Sequence, residues 1–174
     1  MTTRSRRACL HRAIALTAVA GLASLAPTVL RAQTLPGHAA FDWPDLSLLD
    51  GTVLPAAAWQ DTGAVLVFWA THCPYCRRHN VHVEKLHRSL AGQPVRVLGL
   101  SSDRDPKLVR RYMQQQGLSF PVTMQSELMR LRLKLSRTIP TTVTLDRRGR
   151  QGMAIPGEMF EEDVMGLARA AMLD

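Results

Sequence analysis

The chain has 174 residues, of which 46% are hydrophobic and 21% charged, a composition that fits one globular domain with a short extension and excludes a wholly disordered chain. Its formal net charge is +8, but five of the 22 basic residues and none of the 14 acidic ones lie in residues 1–32, so the remaining 17 basic residues leave a net charge of +3. No nucleic-acid-binding module accompanies this charge, and we expect no nucleic-acid partner.

The first predicted element is an export leader over residues 1–32. An arginine-rich start precedes an apolar run over residues 13–30, and Leu30-Arg31-Ala32 is a candidate cleavage site, which is the plan of a secretory signal peptide. Arg6 and Arg7 also fit a twin-arginine export signal, and the two export routes stay equally open. A third interpretation, an uncleaved anchor, is weakened by the proline and glycine within the run. The leader predicts export to the periplasm, with a soluble domain after cleavage.

A short linker over residues 33–44 leads into the predicted domain, residues 45–174. Asp50-Gly51, between apolar residues of the stretch 45–54, predicts a β-hairpin. A turn of helix is expected next, followed by a buried strand over residues 64–70. This apolar strand ends in Trp-Ala, just before the cysteines.

Two closely spaced cysteines follow this strand. Cys9 leaves with the leader, so the exported domain keeps Cys73 and Cys76, too few for a disulfide scaffold. A thiol at a helix N-terminus lies among unpaired N–H groups and at the positive end of the helix dipole, which favour the thiolate. Because only the thiolate attacks a disulfide, Cys73 is the predicted nucleophile and Cys76 the resolving cysteine. We expect no cofactor besides their redox-active disulfide.

Helices and strands alternate in the rest of the chain. Pro74 suits the first turn of a helix predicted over residues 74–90. Its expected buried stripe consists of Val81, Val83, Leu86 and Leu90. The remaining predicted elements are a strand over 95–100, a helix over 107–116, a short strand and helix over 120–123 and 127–135, strands over 141–145 and 153–155, and a helix over 160–172. This order predicts an α/β fold with a mixed central sheet and helices on both faces.

Two stretches carry a resemblance to a known superfamily. Residues 68–76, Phe-Trp-Ala-Thr-His-Cys-Pro-Tyr-Cys, and residues 138–142, Thr-Ile-Pro-Thr-Thr, resemble the active-site motif and the cis-proline loop of thioredoxins. The hairpin, and the helix and strand inserted after the redox helix, resemble the TlpA/ResA-like protein disulfide reductases. The resemblance implies a thioredoxin-like fold over residues 45–174. It also implies that Pro140 packs beside the sulfurs and that Ile139 offers backbone groups to a substrate peptide. The residues expected to support the active site are Trp69, His72, Pro74, Tyr75 and His79.

Three positions depart from the family pattern. His72 replaces the tryptophan that usually precedes the first cysteine, His79 replaces an acidic residue of many TlpA-like reductases, and Val67 stands where thioredoxin has a buried aspartate. The domain therefore lacks both familiar carboxylates that could take the proton of the second thiol. A neutral histidine could do this, and His79, one turn beyond Cys76, is the candidate. The alternative is that His79 is an exposed helix residue without a role.

The resemblance implies an exported thiol–disulfide oxidoreductase that reduces protein disulfides, in cytochrome c maturation or in general periplasmic thiol homeostasis. Apocytochrome c is one candidate substrate, and a membrane thiol-electron carrier of the DsbD or CcdA type is the expected electron donor. One alternative is an oxidant that introduces disulfides, because His72 and the neighbouring arginines favour the thiolate. We expect a monomer, because no large apolar surface stripe demands a dimer.

A copper-binding metallochaperone that uses the same two cysteines is a further alternative. Four histidines lie near them in sequence: His72, His79, His82 and His87. Thiolates suit Cu(I), whereas a zinc site would need a second well-spaced pair of ligands. The favoured prediction contains no metal site.

Overall fold

The computed structural model describes residues 40–173, so the predicted leader and most of the predicted linker lie outside the described residues. The strands are β1 (Leu46–Ser47), β2 (Val53–Leu54), β3 (Gly63–Trp69), β4 (Val95–Ser101), β5 (Val122–Thr123), β6 (Thr141–Leu145) and β7 (Gln151–Pro156). The helices are α1 (Pro74–Ser89), α2 (Pro106–Gln116), α3 (Ser126–Leu133) and α4 (Glu161–Ala171), and a 3₁₀ turn at Ala56–Trp59 precedes β3. These elements follow the order that the sequence predicts.

Strands β3 to β7 form one mixed sheet in the order β5-β4-β3-β6-β7. β3, β4 and β5 are parallel, whereas β6 is antiparallel to β3 and β7 is antiparallel to β6. The chain passes from β3 to β4 on one side and later returns to β6 on the other. The carboxyl end of β3 is therefore a switch point of the sheet, the usual place for a binding site in open α/β folds. The short strands β1 and β2 pair antiparallel around the predicted Asp50-Gly51 turn, in which Gly51 has a φ of 93°.

The sheet is covered on both faces, which explains why the apolar run of β3 is buried throughout. On one face, Val65, Val67 and Trp69 pack with side chains of α1, α2 and α4. On the other face, Leu66 and Phe68 pack with α3 and with the amino-terminal hairpin. The predicted α/β class, with a mixed sheet and helices on both faces, is confirmed.

Helix α1 begins at Pro74 as predicted, but the prediction that Val81 belongs to its buried stripe is wrong. Val83, Leu86 and Leu90 are buried, whereas Val81 is 46% exposed. Val81 lies two residues before Val83 and therefore on the opposite side of a helix with about 3.6 residues per turn. The buried face of α1 instead carries polar side chains, those of His79, Asn80 and Glu84.

Helix α2 begins at the same edge of the sheet as α1. Its N-cap residue Asp105 accepts the N–H of Lys107 at 2.8 Å, and Gly117, with a φ of 64°, ends the helix. Both helices thus direct amino-terminal N–H groups towards the edge where β3 and β4 end. Among residues 40–173, no helix has the length and apolar character that crossing a membrane requires.

Candidate active site

Cys73 and Cys76 lie at the amino end of α1, directly after β3. Their sulfurs are within disulfide distance, and their Cα atoms are 5.2 Å apart. Cys73 is the N-cap residue of α1, and its Sγ accepts the N–H of Cys76 at 3.2 Å. Cys73 is 7% exposed and Cys76 is fully buried. Of the two sulfurs, that of Cys73 is therefore the one that an incoming sulfur reaches, and the pair has the geometry of a redox dithiol.

The loop that precedes β6 lies against Cys73. The peptide bond between Ile139 and Pro140 is cis, as the family resemblance implies. The Sγ of Cys73 is 4.0 Å from the carbonyl oxygen of Ile139. The Pro140 carbonyl accepts the N–H of Gly157 at 2.8 Å, which ties this loop to the segment before α4. The structure therefore brings Ile139 and Pro140 together with the two cysteines, although the sequence separates them by more than 60 residues.

Three more of the predicted site residues flank the dithiol. Trp69 is fully buried at the end of β3, with its ring 5.3 Å from that of Tyr112 in α2. Pro74 and Tyr75 form the exposed first turn of α1, and the guanidinium of Arg78 lies 5.1 Å from the centre of the Tyr75 ring. Trp69 thus belongs to the core beneath the site, whereas Pro74 and Tyr75 belong to its surface.

His79 is fully buried, so the alternative that placed it on the surface is wrong. Its Nδ1 accepts the N–H of Met159 at 3.3 Å, and its Nε2 is 2.9 Å from the hydroxyl of Thr142. Because an N–H is always a donor, Nδ1 holds the lone pair of the neutral ring and Nε2–H donates to Thr142. Burial, helped by His82, lowers the pKa of His79 to about 4. For His79 to take the proton of Cys76, its hydrogen bond from Met159 would have to break first.

Asp103, just beyond β4, is a site residue that the sequence patterns did not indicate. Its side chain is 6% exposed. Its carboxylate accepts the N–H and the hydroxyl of Thr71 at 2.9 and 2.7 Å and the hydroxyl of Ser101 at 2.8 Å. The Nδ1 of His72 is 3.9 Å from the same carboxylate, and the His72 side chain is 78% exposed. The pairing register of β3 and β4 is the signal that could have indicated Asp103. Trp69 pairs with Ser101, so the residues that follow the two parallel strands lie next to each other.

The histidines that lie near the cysteines in sequence point in different directions. His72 faces Asp103, His79 is enclosed in the core, and the Nδ1 of His82 is 3.4 Å from Glu161 at the start of α4. In the part of the chain that the structure describes, no group of three or more His, Cys, Asp or Glu side chains is placed to hold a metal ion. In that part of the chain these three histidines therefore form no metal-binding group with the two cysteines.

Comparison with known proteins links this site to one family. The family model described as Redoxin matches residues 36–150, a range that contains both cysteines and the proline loop. The thiol-disulfide oxidoreductase ResA of Halalkalibacterium halodurans is 29% identical over 116 residues, which cover 67% of this chain and 66% of that relative. The match thus spans about two thirds of the length of each protein. The resemblance to ResA-type oxidoreductases that the sequence predicts is confirmed.

Solved structures show the same fold. A thiol:disulfide interchange protein of the thioredoxin family from Chlorobium tepidum has a TM-score of 0.69 and 22% identity, covering 76% of this chain and 94% of that one. A secreted disulfide oxidoreductase of Mycobacterium tuberculosis has a TM-score of 0.65 and 18% identity, covering 75% and 96%. At these identities the similarity concerns the fold alone, and the predicted thioredoxin-like fold is confirmed.

Proposed function

The chain belongs to the redoxin family and carries the dithiol of a thiol–disulfide oxidoreductase, and from this premise we propose that it reduces disulfide bonds of exported proteins. The placement of Cys73 is the observation that carries the proposal. Its sulfur lies at the N-terminus of α1 and 4.0 Å from the Ile139 carbonyl. A substrate chain that binds along Ile139 brings its own sulfur to Cys73, while Cys76 stays out of reach beneath.

The proposed reaction has two exchange steps. The Cys73 thiolate attacks one sulfur of the substrate disulfide, forms a mixed disulfide and releases the other substrate sulfur, which takes up a proton. Cys76 then loses its proton and attacks the Sγ of Cys73, which closes the Cys73–Cys76 disulfide and frees the second substrate thiol. Counting the proton that Cys73 gave up beforehand, two electrons and two protons pass from the dithiol to the substrate. The N–H groups at the start of α1 stabilise the Cys73 thiolate.

We propose that the protein acts in the periplasm on exported proteins. Residues 1–32 serve as a leader, residues 33–44 as a linker and residues 45–174 as the catalytic domain, which works as a monomer in the periplasm. Substrates are proteins with disulfides or thiols, with apocytochrome c as one candidate. Electrons come from a membrane thiol carrier of the DsbD or CcdA type. The export leader that the sequence predicts over residues 1–32 supports this location.

The reduction potential of the protein tests the direction of the reaction. We expect equilibration with dithiothreitol to give a value near or below that of thioredoxin, about −270 mV. A value near −120 mV would identify an oxidant that introduces disulfides and would overturn the proposed direction.

Trapping experiments test the roles of the two cysteines. In Cys76→Ser, the mixed disulfide at Cys73 cannot be resolved, so we expect a covalent complex with a disulfide-bonded substrate protein on a non-reducing gel. In Cys73→Ser we expect no complex, because the remaining sulfur is buried. Equal trapping by both variants would contradict the assignment of Cys73 as the nucleophile.

The copper alternative rests on the two cysteines alone within the described residues. Titration of the reduced protein with Cu(I) separates it from the proposed function. Tight one-to-one binding that either Cys→Ser variant abolishes, together with no reduction of disulfides, would replace the reductase by a copper-binding protein.

A further inference from the structure

We propose that Asp103 is a positioning residue that holds the loop before Cys73 and, by its negative charge, keeps the dithiol reducing. The inference rests on the proposed function in one respect, that Cys73 is the attacking sulfur. It assigns a role to the buried carboxylate next to the site, which the exchange steps themselves do not use.

The hydrogen bonds of Asp103 hold Thr71, two residues before the nucleophile. Its carboxylate accepts both the N–H and the hydroxyl of Thr71, and the Ser101 hydroxyl holds it from the end of β4. The backbone N–H of Asp103 in turn donates to Ser101 Oγ at 3.1 Å, which closes the loop on itself. A carboxylate with a 6% exposed side chain that accepts hydrogen bonds from three donors is fixed in place. The segment from β3 to Cys73 is therefore fastened to β4.

Most charges around Cys73 favour its thiolate. They are the amino end of α1, His72 when it is protonated, and Arg77 on α1. Arg78 is paired with Glu158 and contributes less. On the α2 side, Tyr112 faces both Arg77 and Asp103, and burial, with a smaller contribution from Asp103, raises its pKa. Asp103 is thus a buried negative charge set against several positive ones.

The sign of the effect follows from electrostatics. A negative charge near a thiol disfavours the thiolate, and a less stable thiolate makes the reduced dithiol a stronger reductant. His72 and Arg77 alone would push the dithiol towards the oxidising range. Asp103 opposes them, and this explains how a reductase tolerates a histidine in place of the usual tryptophan.

The isosteric substitution Asp103→Asn tests the charge. It keeps one oxygen as an acceptor for Thr71 and removes the negative charge. We expect the Cys73 thiol to ionise about one pH unit lower, a tenfold change, seen in the pH dependence of iodoacetamide alkylation of the reduced exported protein, which lacks Cys9. At a pH above the pKa of the Cys73 thiol in both the wild type and the variant, the same tenfold stabilisation of the thiolate raises the reduction potential by about 30 mV. Asp105→Asn is the matched control, because Asp105 is an exposed N-cap that asparagine also caps, and we expect neither quantity to move.

A second variant separates charge from loop geometry. Thr71→Val removes the hydroxyl that donates to Asp103 but leaves the carboxylate, so we expect lower stability with the alkylation profile near that of the wild type. If Asp103→Asn lowers stability but leaves both the alkylation profile and the potential unchanged, or if Thr71→Val shifts them equally, the charge effect is overturned. A wild-type potential near −120 mV would refute the reductase function, while an upward shift in Asp103→Asn from that value would still support this role of Asp103.

Discussion

His79 shows how a single buried side chain makes stability depend on pH. The ring is fully buried, and burial lowers its pKa to about 4 from the ordinary value of 6.5. Between these two pH values the unfolded chain holds a proton at this site that the folded protein does not hold. Stability contributed by His79 is therefore complete above about pH 6.5 and is lost as the pH falls towards 4.

We expect the free energy of unfolding of the wild type to fall by up to about 3 kcal/mol between pH 7 and pH 4 on account of His79. In His79→Gln the amide donates to Thr142 and accepts from Met159, so the decline should be much smaller. Denaturant unfolding at several pH values measures this. His72→Gln is the control that removes an exposed imidazole remote from His79, and it should keep the slope of the wild type. A residual slope is expected from His87, whose pKa burial also lowers, and close to pH 4 from carboxylates such as Glu84, whose pKa is lowered by hydrogen bonds. Equal slopes in wild type and His79→Gln would contradict the assignment.

Helix α1 is fastened at its middle by Glu84, a carboxylate on its buried face. Glu84 accepts the N–H and hydroxyl of Ser119 at 2.7 and 2.6 Å, the N–H of Phe120 at 3.3 Å and the guanidinium of Arg88 at 2.7 Å. Burial acts to raise the pKa of Glu84, but the hydrogen bonds from Ser119, Arg88 and Phe120 outweigh it and lower the pKa. This contact joins the redox helix to the segment that enters β5.

We expect Glu84→Ala to lower the free energy of unfolding by about 2–3 kcal/mol at pH 7, because it leaves the donors of Ser119 and Phe120 without their acceptor. Urea unfolding of the oxidised protein is the measurement. Glu127→Ala serves as the matched control, since Glu127 pairs with Arg137 at the surface and should change stability by less than about 0.5 kcal/mol. A similar loss in both variants would show that the Glu84 bonds are worth no more than a surface pair.

Helix α4 packs so closely on β3 that one glycine is required there. A Cβ at Gly63 would overlap the backbone carbonyl of Ala171, whereas a Cβ at Gly166, inside α4, would have nothing within 4 Å. The same substitution should therefore have opposite effects at the two sites. We expect Gly166→Ala to raise stability by about 0.5–1 kcal/mol through its helix propensity, and Gly63→Ala to lower it. Thermal unfolding measures both, and destabilisation by Gly166→Ala would indicate a contact that the structure does not show.

At the scale of the whole molecule, the sequence predicts most of the architecture. The buried run of β3 and the cysteine pair after it are local patterns with a strong physical signature, whereas the place of Ile139 and Pro140 beside the sulfurs was implied by the family resemblance. The order of helices and strands then follows from hydrophobic periodicity and from caps such as Asp105 and Gly117. These signals sufficed for the fold class and for the four residues that meet at the dithiol.

What the sequence could not predict depends on contacts between distant segments. Asp103 reaches Thr71 across 32 positions, Glu84 reaches Ser119 across 35, and His79 reaches Met159 across 80. No local periodicity indicates such partners. For this reason the sequence pattern favours a solvent-facing position for a polar residue on α1 even when it is fully buried, as His79 is. It likewise predicts a core position for an apolar residue such as Val81, which is exposed.

The sulfur of Cys73 has two roles: it caps the amino end of α1 by accepting the N–H of Cys76, and it forms the covalent bond to the substrate. A thiolate holds the Cys76 amide more strongly than a neutral sulfur does. The first turn of α1 should therefore fray least when the dithiol is reduced and ionised, and most while a substrate is covalently attached. The amide of Cys76 would exchange its hydrogen with solvent at a rate set by the chemical state of its neighbour. The order of the first turn of α1 would then change together with the redox state of the dithiol. A partner that binds an ordered helix end better than a frayed one would distinguish these states.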